Sequence, residues 1–317
     1  MKRISFAVLA ALAASSASAA YPDKPIHWIV PYPPGGTTDV IARNVAQAMS
    51  ESLGTSIVID NKAGAGGQIA MNAAARADAD GYTLLVSDAS LATAPSLYKS
   101  LPFDPVKDLV AVALFVTVPH IVVANPKVQA KNLAELIALS KKEPGKLYFS
   151  SGGIGSPLHL AGEALRLETG ISWTHVPYKG ASPAILAVVA GEAQVATPSL
   201  PAALPQVQGG KLTALAVSSA KRVASLPDVP SVAEAGYPKA AAFGWVGLHA
   251  PAATPKAVME KLEAAAAEVM KSADMRKRMQ GQGADIVSLA GAAYGKLVSD
   301  EAARWKAVVQ AAGIKPE

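Results

Sequence analysis

Two glycine-rich turns are the segments of this sequence best suited to bind an anion. Their prolines, glycines, hydroxyl residues and single acid are Pro34, Gly35, Gly36, Thr37, Thr38 and Asp39 in the first turn, and Ser151, Gly152, Gly153 and Ser156 in the second. Each turn comes just before a predicted helix, where free N–H groups and the positive end of the helix dipole favour negative charge. Glycine also lets the backbone approach a ligand without a Cβ in the way. Either turn alone could be an ordinary connection, but the pair, about one per predicted domain, indicates one shared anion site.

Further side chains could shape the rest of such a site. They are Ser87, Ser90, His159, Tyr178, Thr197 and Phe243. Ser87, Ser90 and Thr197 follow predicted strands, and ligands in open α/β sheets bind beyond the carboxyl ends of the strands. His159 would lie one turn into the helix that Ser156 begins. Loop polarity or packing also explains these residues when each is taken alone, so they are candidates that depend on the two turns.

Other kinds of chemistry are poorly supported. The sequence contains no cysteine, which excludes disulfides, thiolate metal sites and a cysteine nucleophile. Its five histidines are scattered, with no H-E-x-x-H and no G-x-S-x-G motif. There is no P-loop, and the turn at 64–67 has Ile69 where a dinucleotide fingerprint needs its last glycine. Aromatic residues make up only 5% and are not interleaved with basic residues, so we expect no nucleic acid partner. From the missing motifs we also expect no metal, no cofactor and no catalytic residue.

Strands that alternate with helices must position these residues. The predicted strands cover 26–31, 56–60, 82–86, 121–124, 147–150, 195–198 and 212–217. Between them lie helical segments such as 39–53, where apolar residues recur every four positions and Gly54 follows as a helix stop. This pattern predicts an α/β fold with a mixed, mostly parallel sheet in each of two domains. The end of the chain is predicted to be helical, with no sheet of its own, and to pack on a preceding domain.

Length and the first residues indicate a two-domain exported protein. The chain has 317 residues, about twice the ~150 typical of one domain, and 51% of them are apolar. Lys2 and Arg3 precede an apolar run at 4–14 and small residues at 17–19, which predicts a signal peptide over 1–20, cleaved near Ala19 or Ala20. The apolar run is shorter than the ~20 residues of a membrane span. The net charge of +5 becomes +3 when Lys2 and Arg3 are removed, so the mature chain is only mildly basic.

Several motifs together resemble the Bug family, the TctC-like periplasmic substrate-binding receptors of tripartite tricarboxylate transporters. The segments that carry the resemblance, in family order along the chain, are 32–39 with 41–43, 61–67, 80–84, 150–159, 175–180, 191–195 and 226–231. The resemblance implies a periplasmic receptor of the Venus-flytrap fold rather than an enzyme. It also implies that the two turns hold a ligand carboxylate through backbone N–H groups, hydroxyl groups and water.

The resemblance further implies a domain organisation and partners. Domain I would comprise 21–120 and 246–317, and domain II would comprise 121–245. Independently of the resemblance, the absence of a flexible linker indicates chain crossovers inside a rigid hinge, for which 118–120 and 243–245 are the candidates. The receptor would close on one small organic acid and deliver it to the membrane permease subunits of the transporter, and a monomer is the expected state. The ligand stays open among dicarboxylates, tricarboxylates, aromatic acids, amino acids and amides. Two other functions stay open: a secreted α/β enzyme acting on a small acid, and a ligand receptor for a membrane sensor.

Overall fold

The computed structural model describes residues 21–316, and the predicted signal peptide over 1–20 lies outside the described residues. Within that range the chain forms two sheets covered by helices. The strands are β1 (Ile26–Val30), β2 (Ile57–Asn61), β3 (Thr83–Asp88), β4 (Leu109–Pro119), β5 (Ile121–Ala124), β6 (Tyr148–Ser151), β7 (Thr174–Pro177), β8 (Val195–Ala196), β9 (Thr213–Val217), β10 (Phe243–Pro251) and β11 (Asp285–Ala290). The helices are α1 (Thr37–Leu53), α2 (Gln68–Ala75), α3 (Ala89–Leu97), α4 (Leu133–Lys142), α5 (Pro157–Thr169), α6 (Ala181–Ala190), α7 (Leu200–Gln208), α8 (Lys256–Lys271), α9 (Ala273–Gly281) and α10 (Gly291–Ala311).

Both sheets are mixed. The larger sheet has the order β11-β4-β10-β3-β1-β2, and the smaller sheet has the order β7-β6-β8-β5-β9. The parallel pairs are β1 with β2 and β3, and β6 with β7 and β8, whereas the other five pairs are antiparallel. The predicted α/β fold with a mixed sheet in each domain is therefore confirmed, but parallel pairs are fewer than expected. The reason is that β4, β5 and β10, which carry the chain between the two sheets, run antiparallel to their neighbours.

The chain passes between the two sheets at His120 and again between β9 and β10. β4 ends at Pro119 and β5 begins at Ile121, so a single residue separates strands of different sheets. On the return path, the N–H of Ser218 donates to the carbonyl of His120 at 2.8 Å, and the N–H of Ala242 donates to the carbonyl of Ser218 at 2.9 Å. These bonds connect the two crossings. We refer to the larger sheet with its helices as domain I and to the smaller sheet with its helices as domain II.

Each sheet is buried on both faces because successive side chains of its strands point to opposite sides. On β1, Trp28 packs in one core cluster with α1 and α8, and the next residue, Ile29, packs in another with α2, α3 and α10. On β5, Val122 packs with α4 and α5, whereas Val123 packs with α6 and α7. Helices are therefore held on both faces of each sheet, with their first turns close to the strand ends.

The C-terminal region differs from the expectation in one respect. It does contribute a strand, because β11 pairs with β4 at the edge of the larger sheet. β11 has no fully buried residue, so its sequence carries little of the alternation that marks a strand. α10 then packs on α3 and β4 and reaches α5 of domain II. There Trp305 and Val309 are buried against Leu160 and Ala164, so the last helix contacts both domains.

Candidate ligand site between the two domains

A cavity of about 250 Å³ lies between the two domains. Domain I contributes Tyr32, Gly66, Ser90, Thr93, Ala94, Leu97 and Tyr98, domain II contributes Ile154, Gly155, Ser156 and Pro157, and the segment after α10 contributes Ile314 and Lys315. The lining therefore combines hydroxyl groups, the beginning of a helix and apolar side chains. A space of this size equals that of about eight water molecules at ~30 Å³ each, which suits a small organic ligand.

The domain II wall of the cavity is the beginning of α5. Ser156 is the N-cap residue: its Oγ accepts the N–H of His159 at 3.3 Å, and Pro157 occupies the first helical position. The second turn therefore places helix N–H groups and the positive end of the α5 dipole at the cavity. An anionic group of a ligand would be stabilised there.

Hydrogen bonds within domain II fix the shape of this second turn. The N–H of Gly153 donates to Ser151 Oγ at 3.2 Å, and the same oxygen lies 2.6 Å from His175 Nε2. The N–H of Gly155 donates to His159 Nδ1 at 3.0 Å. Gly153 and Gly155 have φ angles of 117° and 73°, which residues with a side chain rarely adopt. The turn thus depends on its glycines and is held in place by side chains of its own domain.

His159 and His175 bring no positive charge to the cavity at neutral pH. Burial is the main cause that lowers the pKa of His159 to about 4, and the charges of His175 and Arg166 lower it further. Burial also lowers the pKa of His175. Because Nδ1 of His159 accepts a hydrogen bond, its proton lies on Nε2, which is 3.9 Å from Glu163 Oε1. Arg166 pairs with Glu163 at 2.7 Å, so that cation is already engaged.

The domain I wall is organised by Asp88 at the end of β3. Its Oδ1 accepts the N–H of Ser90 at 2.9 Å, which caps α3, and the hydroxyl of Ser90 at 2.5 Å. Its Oδ2 accepts the hydroxyl of Thr38 at 3.3 Å. Burial is the main cause of the raised pKa of Asp88, and hydrogen bonds from Ser90, Tyr32 and Thr38 oppose that rise. Asp88 therefore orients the cavity hydroxyl of Ser90 and connects it to the first turn.

The first turn is fixed by the buried carboxylate of Asp39. This group accepts the N–H of Gly35 at 2.9 Å, Arg43 Nε at 2.9 Å and Asn61 Nδ2 at 2.8 Å. Burial opposes its ionisation, but these hydrogen bonds outweigh burial and lower the pKa of Asp39. The residues of this turn do not belong to the cavity lining, although Tyr32, immediately before it, does. Asp39 is thus a residue that shapes the turn, and its charge is neutralised by Arg43.

The structure separates the predicted site residues into three groups. Ser90 and Ser156 line the cavity. Those that form the two turns or adjoin them are Pro34, Gly35, Gly36, Thr37, Thr38, Asp39, Ser151, Gly152, Gly153 and His159. The remaining four are Ser87, Thr197 and Phe243, which contact other parts of the protein, and Tyr178, whose N–H donates to the carbonyl of Ser151 at 2.8 Å beside the second turn.

Ser87 and Thr197 are buried and have partners inside the domains. Ser87 Oγ lies 2.7 Å from His249 Nδ1 and 3.1 Å from the hydroxyl oxygen of Tyr294, in the core of domain I. The hydroxyl of Thr197 donates to the carbonyl of Leu158 at 2.7 Å, so it supports the first turn of α5. Neither residue belongs to the cavity lining. A contact of either with a ligand stays a prediction.

Tyr178 and Phe243 also lie outside the cavity lining. Burial is the main cause of the raised pKa of Tyr178, and the neighbouring carboxylate of Glu192 adds to it. Phe243 packs against a core cluster of domain I at the start of β10. Their predicted role at the ligand site also stays a prediction.

Apart from Ser90, sequence reasoning did not select the part of the lining that comes from α3, and it selected none of the part that comes from the end of the chain. α3, which ends at Leu97, buries residues around its whole circumference, so no helical periodicity marks its sequence. Ile154 and Gly155 were not selected individually, but they lie inside the second turn, which the sequence marked as part of the site. Ile314 and Lys315 reach the cavity because α10 packs on both domains, which only the folded structure can show.

A small cavity between two sheet-centred domains, with a helix beginning at one wall and hydroxyl groups on the other, defines a two-domain solute-binding protein. Within residues 21–316, no three histidine, aspartate or glutamate side chains are arranged to hold a metal ion. The sequence matches the TctC family, the tripartite tricarboxylate transporter family receptor, over residues 41–314. The chain belongs to this family, as its motifs predicted.

Related proteins and solved structures agree with the family. Protein BugT of Bordetella pertussis (strain Tohama I) is 38% identical over 312 residues, which is 98% of this chain and 96% of BugT. The structure of R. palustris Rpa4515 with adipate has a TM-score of 0.83 at 32% identity, over 94% of this chain and 100% of that chain. MatC of Rhodopseudomonas palustris with bound malate has a TM-score of 0.78 at 32% identity, over 91% of this chain and 100% of MatC. This protein is therefore a solute-binding receptor, and the alternative of a secreted α/β enzyme falls away.

Proposed function

We propose that this protein is a periplasmic receptor that binds a small carboxylate between its two domains and delivers it to the membrane permease subunits of a tripartite tricarboxylate transporter. The family supports the role of a receptor, and the adipate and malate named for two solved relatives support a carboxylate ligand. The signal peptide predicted over 1–20 supports export. None of the helices in residues 21–316 combines the length and apolar character needed to cross a bilayer.

The observation that carries this proposal is the position of the α5 N-terminus at the cavity. Ser156 and Pro157 line the cavity, so the positive end of this helix would lie against a bound ligand. A negative charge at such a position is typically stabilised by about 0.3–1 kcal/mol, and by up to ~2 kcal/mol where it is partly buried. The hydroxyl groups of Tyr32 and Ser90 belong to the opposite wall. A carboxylate held at α5 would therefore contact both domains and favour the closed arrangement.

The first turn would complete the site as the domains close. The N–H groups of Thr37 and Thr38 lie in the first turn of α1 and have no acceptor within the helix. Thr38 is joined to the cavity hydroxyl of Ser90 through Asp88. The division into 21–120 with 246–317 and 121–245 is part of this proposal, and the two separate sheets support it. A monomer suffices for the mechanism because one chain supplies both walls.

A thermal-shift screen of the mature chain, residues 21–317, tests the proposed ligand class. The panel contains malate, adipate, tricarboxylic acids, aromatic acids and amino acids, and the methyl ester of each acid is its control. A ligand at about 100 times its dissociation constant adds ~2.7 kcal/mol, which raises Tm by roughly 5–10 °C. We expect such a rise with at least one acid and none with its ester.

Two controls separate the steps of the proposal. The protein is unfolded, dialysed and refolded before the screen, which removes ligand carried over from expression; no shift with any acid after that step contradicts carboxylate binding. N-terminal sequencing of the exported protein tests the signal peptide. A mature chain that begins at Ala20 or Tyr21 supports export by cleavage, and an uncleaved chain contradicts it.

A further inference from the structure

The segment that follows α10 is held at the cavity by the fold. Trp305 and Val309 anchor α10 against α5, and Ile314 packs against the same apolar cluster. Gly313 has a φ of 68°, which turns the chain after the helix, and the N–H of Ile314 donates to the carbonyl of Val309 at 3.0 Å. Lys315 follows directly and belongs to the cavity lining. Packing holds Ile314, and Lys315 itself is exposed at the edge of the cavity.

Lys315 differs in charge from the other lining residues. Within residues 21–316, the lining otherwise consists of neutral groups, namely hydroxyl residues, small residues and the apolar side chains of Leu97, Ile154 and Ile314. The nearby histidines of domain II are neutral at neutral pH, and Arg166 is paired with Glu163. A ligand bound here therefore finds a single positively charged side chain in the described part of the cavity wall.

A ligand with two carboxylates needs two places for negative charge. The beginning of α5 can accept one carboxylate through its N–H groups. The second would lie across a partly apolar surface formed by Leu97, Ile154 and Ile314, where it needs a cation to compensate for lost hydration. On the opposite wall, the acid Asp88 lies beneath Ser90 and cannot compensate for the lost hydration of a ligand carboxylate. Among the lining residues, Lys315 can provide this cation.

We propose that Lys315 is a specificity-determining residue whose ammonium group binds the second carboxylate of a dicarboxylate ligand. This proposal rests on the proposed function, because it assumes that the first carboxylate binds at α5. It predicts that the receptor binds a straight-chain diacid more tightly than the monoacid of equal length. The difference arises from one charged hydrogen bond at the edge of the cavity, for which we expect a factor of about five to ten in affinity.

Isothermal titration of the refolded mature chain tests this role with matched pairs of ligands. The pairs are diacids of four to seven carbons and the monoacids of the same length, including adipate with hexanoate. The variants are Lys315→Gln, which removes the charge, and Lys315→Arg, which keeps it. Lys306→Gln on α10 is the control, because it makes the same charge change at an exposed position outside the cavity lining.

We expect Lys315→Gln to weaken diacid binding about five- to tenfold and to leave monoacid binding unchanged, while Lys315→Arg and Lys306→Gln keep the wild-type preference. An unchanged ratio of diacid to monoacid affinity in Lys315→Gln overturns the inference about Lys315 and leaves the proposed function intact. If no diacid binds but another acid of the screening panel does, the inference also fails alone. If no acid of any kind binds, the proposed function fails, and the inference fails with it.

Discussion

The imidazole rings of His159 and His175 are stacked, with 4.0 Å between the ring centroids and 13° between the ring planes. His159 comes from α5 and His175 from β7, and they contact different parts of the second turn, Gly155 and Ser151. Two rings this close repel each other strongly if both are charged. The neutral stack therefore stabilises the turn that leads into the N-cap of α5.

We predict that acid destabilises the protein through His159. Burial holds its pKa in the folded protein at about 4, below the ordinary value of 6.5. Above pH 6.5 the ring is neutral in both the folded and the unfolded chain, so it adds no pH dependence. As the pH falls from 6.5 to about 4, the unfolded chain binds the proton and the folded chain does not. The free energy of unfolding therefore falls over this window, by up to about 3 kcal/mol from this residue.

Urea unfolding across that window, with His159→Asn as the variant, measures this effect. The amide oxygen of asparagine can accept the N–H of Gly155 in place of Nδ1 but does not titrate. The free energy of unfolding of this variant should fall less steeply with decreasing pH than that of the wild type. Equal slopes for the wild type and His159→Asn would show that this ring does not govern acid stability.

Gly152 should tolerate a side chain far less well than Gly36. A Cβ on Gly152 would lie 3.1 Å from the carbonyl carbon of Gly180 and 3.2 Å from the nitrogen of Ala181, and both are backbone atoms that cannot easily move. A Cβ on Gly36 would lie 3.8 Å from its nearest neighbour, at the N-cap position of α1. We expect Gly152→Ser to cost about 1–3 kcal/mol, whereas Gly36→Ser should be neutral or slightly stabilising. Thermal unfolding of both variants checks this, and equal losses would contradict the close approach at Gly152.

Local sequence signals predicted those parts of the fold whose geometry is set locally. β5 was predicted with the observed ends, and β1, β2, β3, β6 and β9 within one or two residues of theirs. β4 and β10 were missed because no α-helix separates β4 from β5 or β9 from β10, while the interpretation relied on strand–helix alternation. β11 was missed because an edge strand with no fully buried residue lacks clear alternation.

The candidate site shows the same division between local and long-range signals. Ser156 could be predicted because an N-cap hydroxyl, a following proline and a preceding glycine are adjacent in sequence. Ser87 was selected by its place at a strand end, but its side chain points into the core towards His249. Lys315 could not be predicted, because it reaches the cavity through the packing of α10 on a helix about 150 residues earlier.

The N-cap of α5 should contribute to both stability and ligand binding. Ser156 Oγ accepts the N–H of His159 at 3.3 Å and also lines the cavity. Ser272 Oγ accepts the N–H of Met275 at the same distance of 3.3 Å, at the beginning of α9 and away from the cavity. Each serine-to-alanine change should lower the free energy of unfolding by about 1 kcal/mol. We expect Ser156→Ala alone to weaken binding of the acid found in the thermal-shift screen.

Chemical denaturation and titration calorimetry on the same two preparations separate these effects. If both variants lose similar stability but only Ser156→Ala loses affinity, the ligand binds at α5. If both variants bind as tightly as the wild type, the carboxylate does not use the N-cap of α5.

Ser218 connects the two chain crossings between the domains, and we predict that losing its hydroxyl lowers ligand affinity. Its hydroxyl donates to the carbonyl of His120 at 2.8 Å and also lies against the carbonyl of Ala242, although its one proton can serve only one of them at a time. Ser218→Ala should lower the free energy of unfolding by about 1 kcal/mol. If that bond stabilises the closed arrangement in particular, affinity should fall by up to about fivefold, because less of the protein is then competent to bind. Ser140→Ala is the control: its buried hydroxyl donates to the carbonyl of Ile137 at 2.8 Å and accepts the N–H of Ser172 at 3.2 Å, both within domain II, so it should lose at least as much stability without losing affinity. Equal affinities for the two variants in titration calorimetry would show that the Ser218 hydroxyl stabilises open and closed arrangements alike.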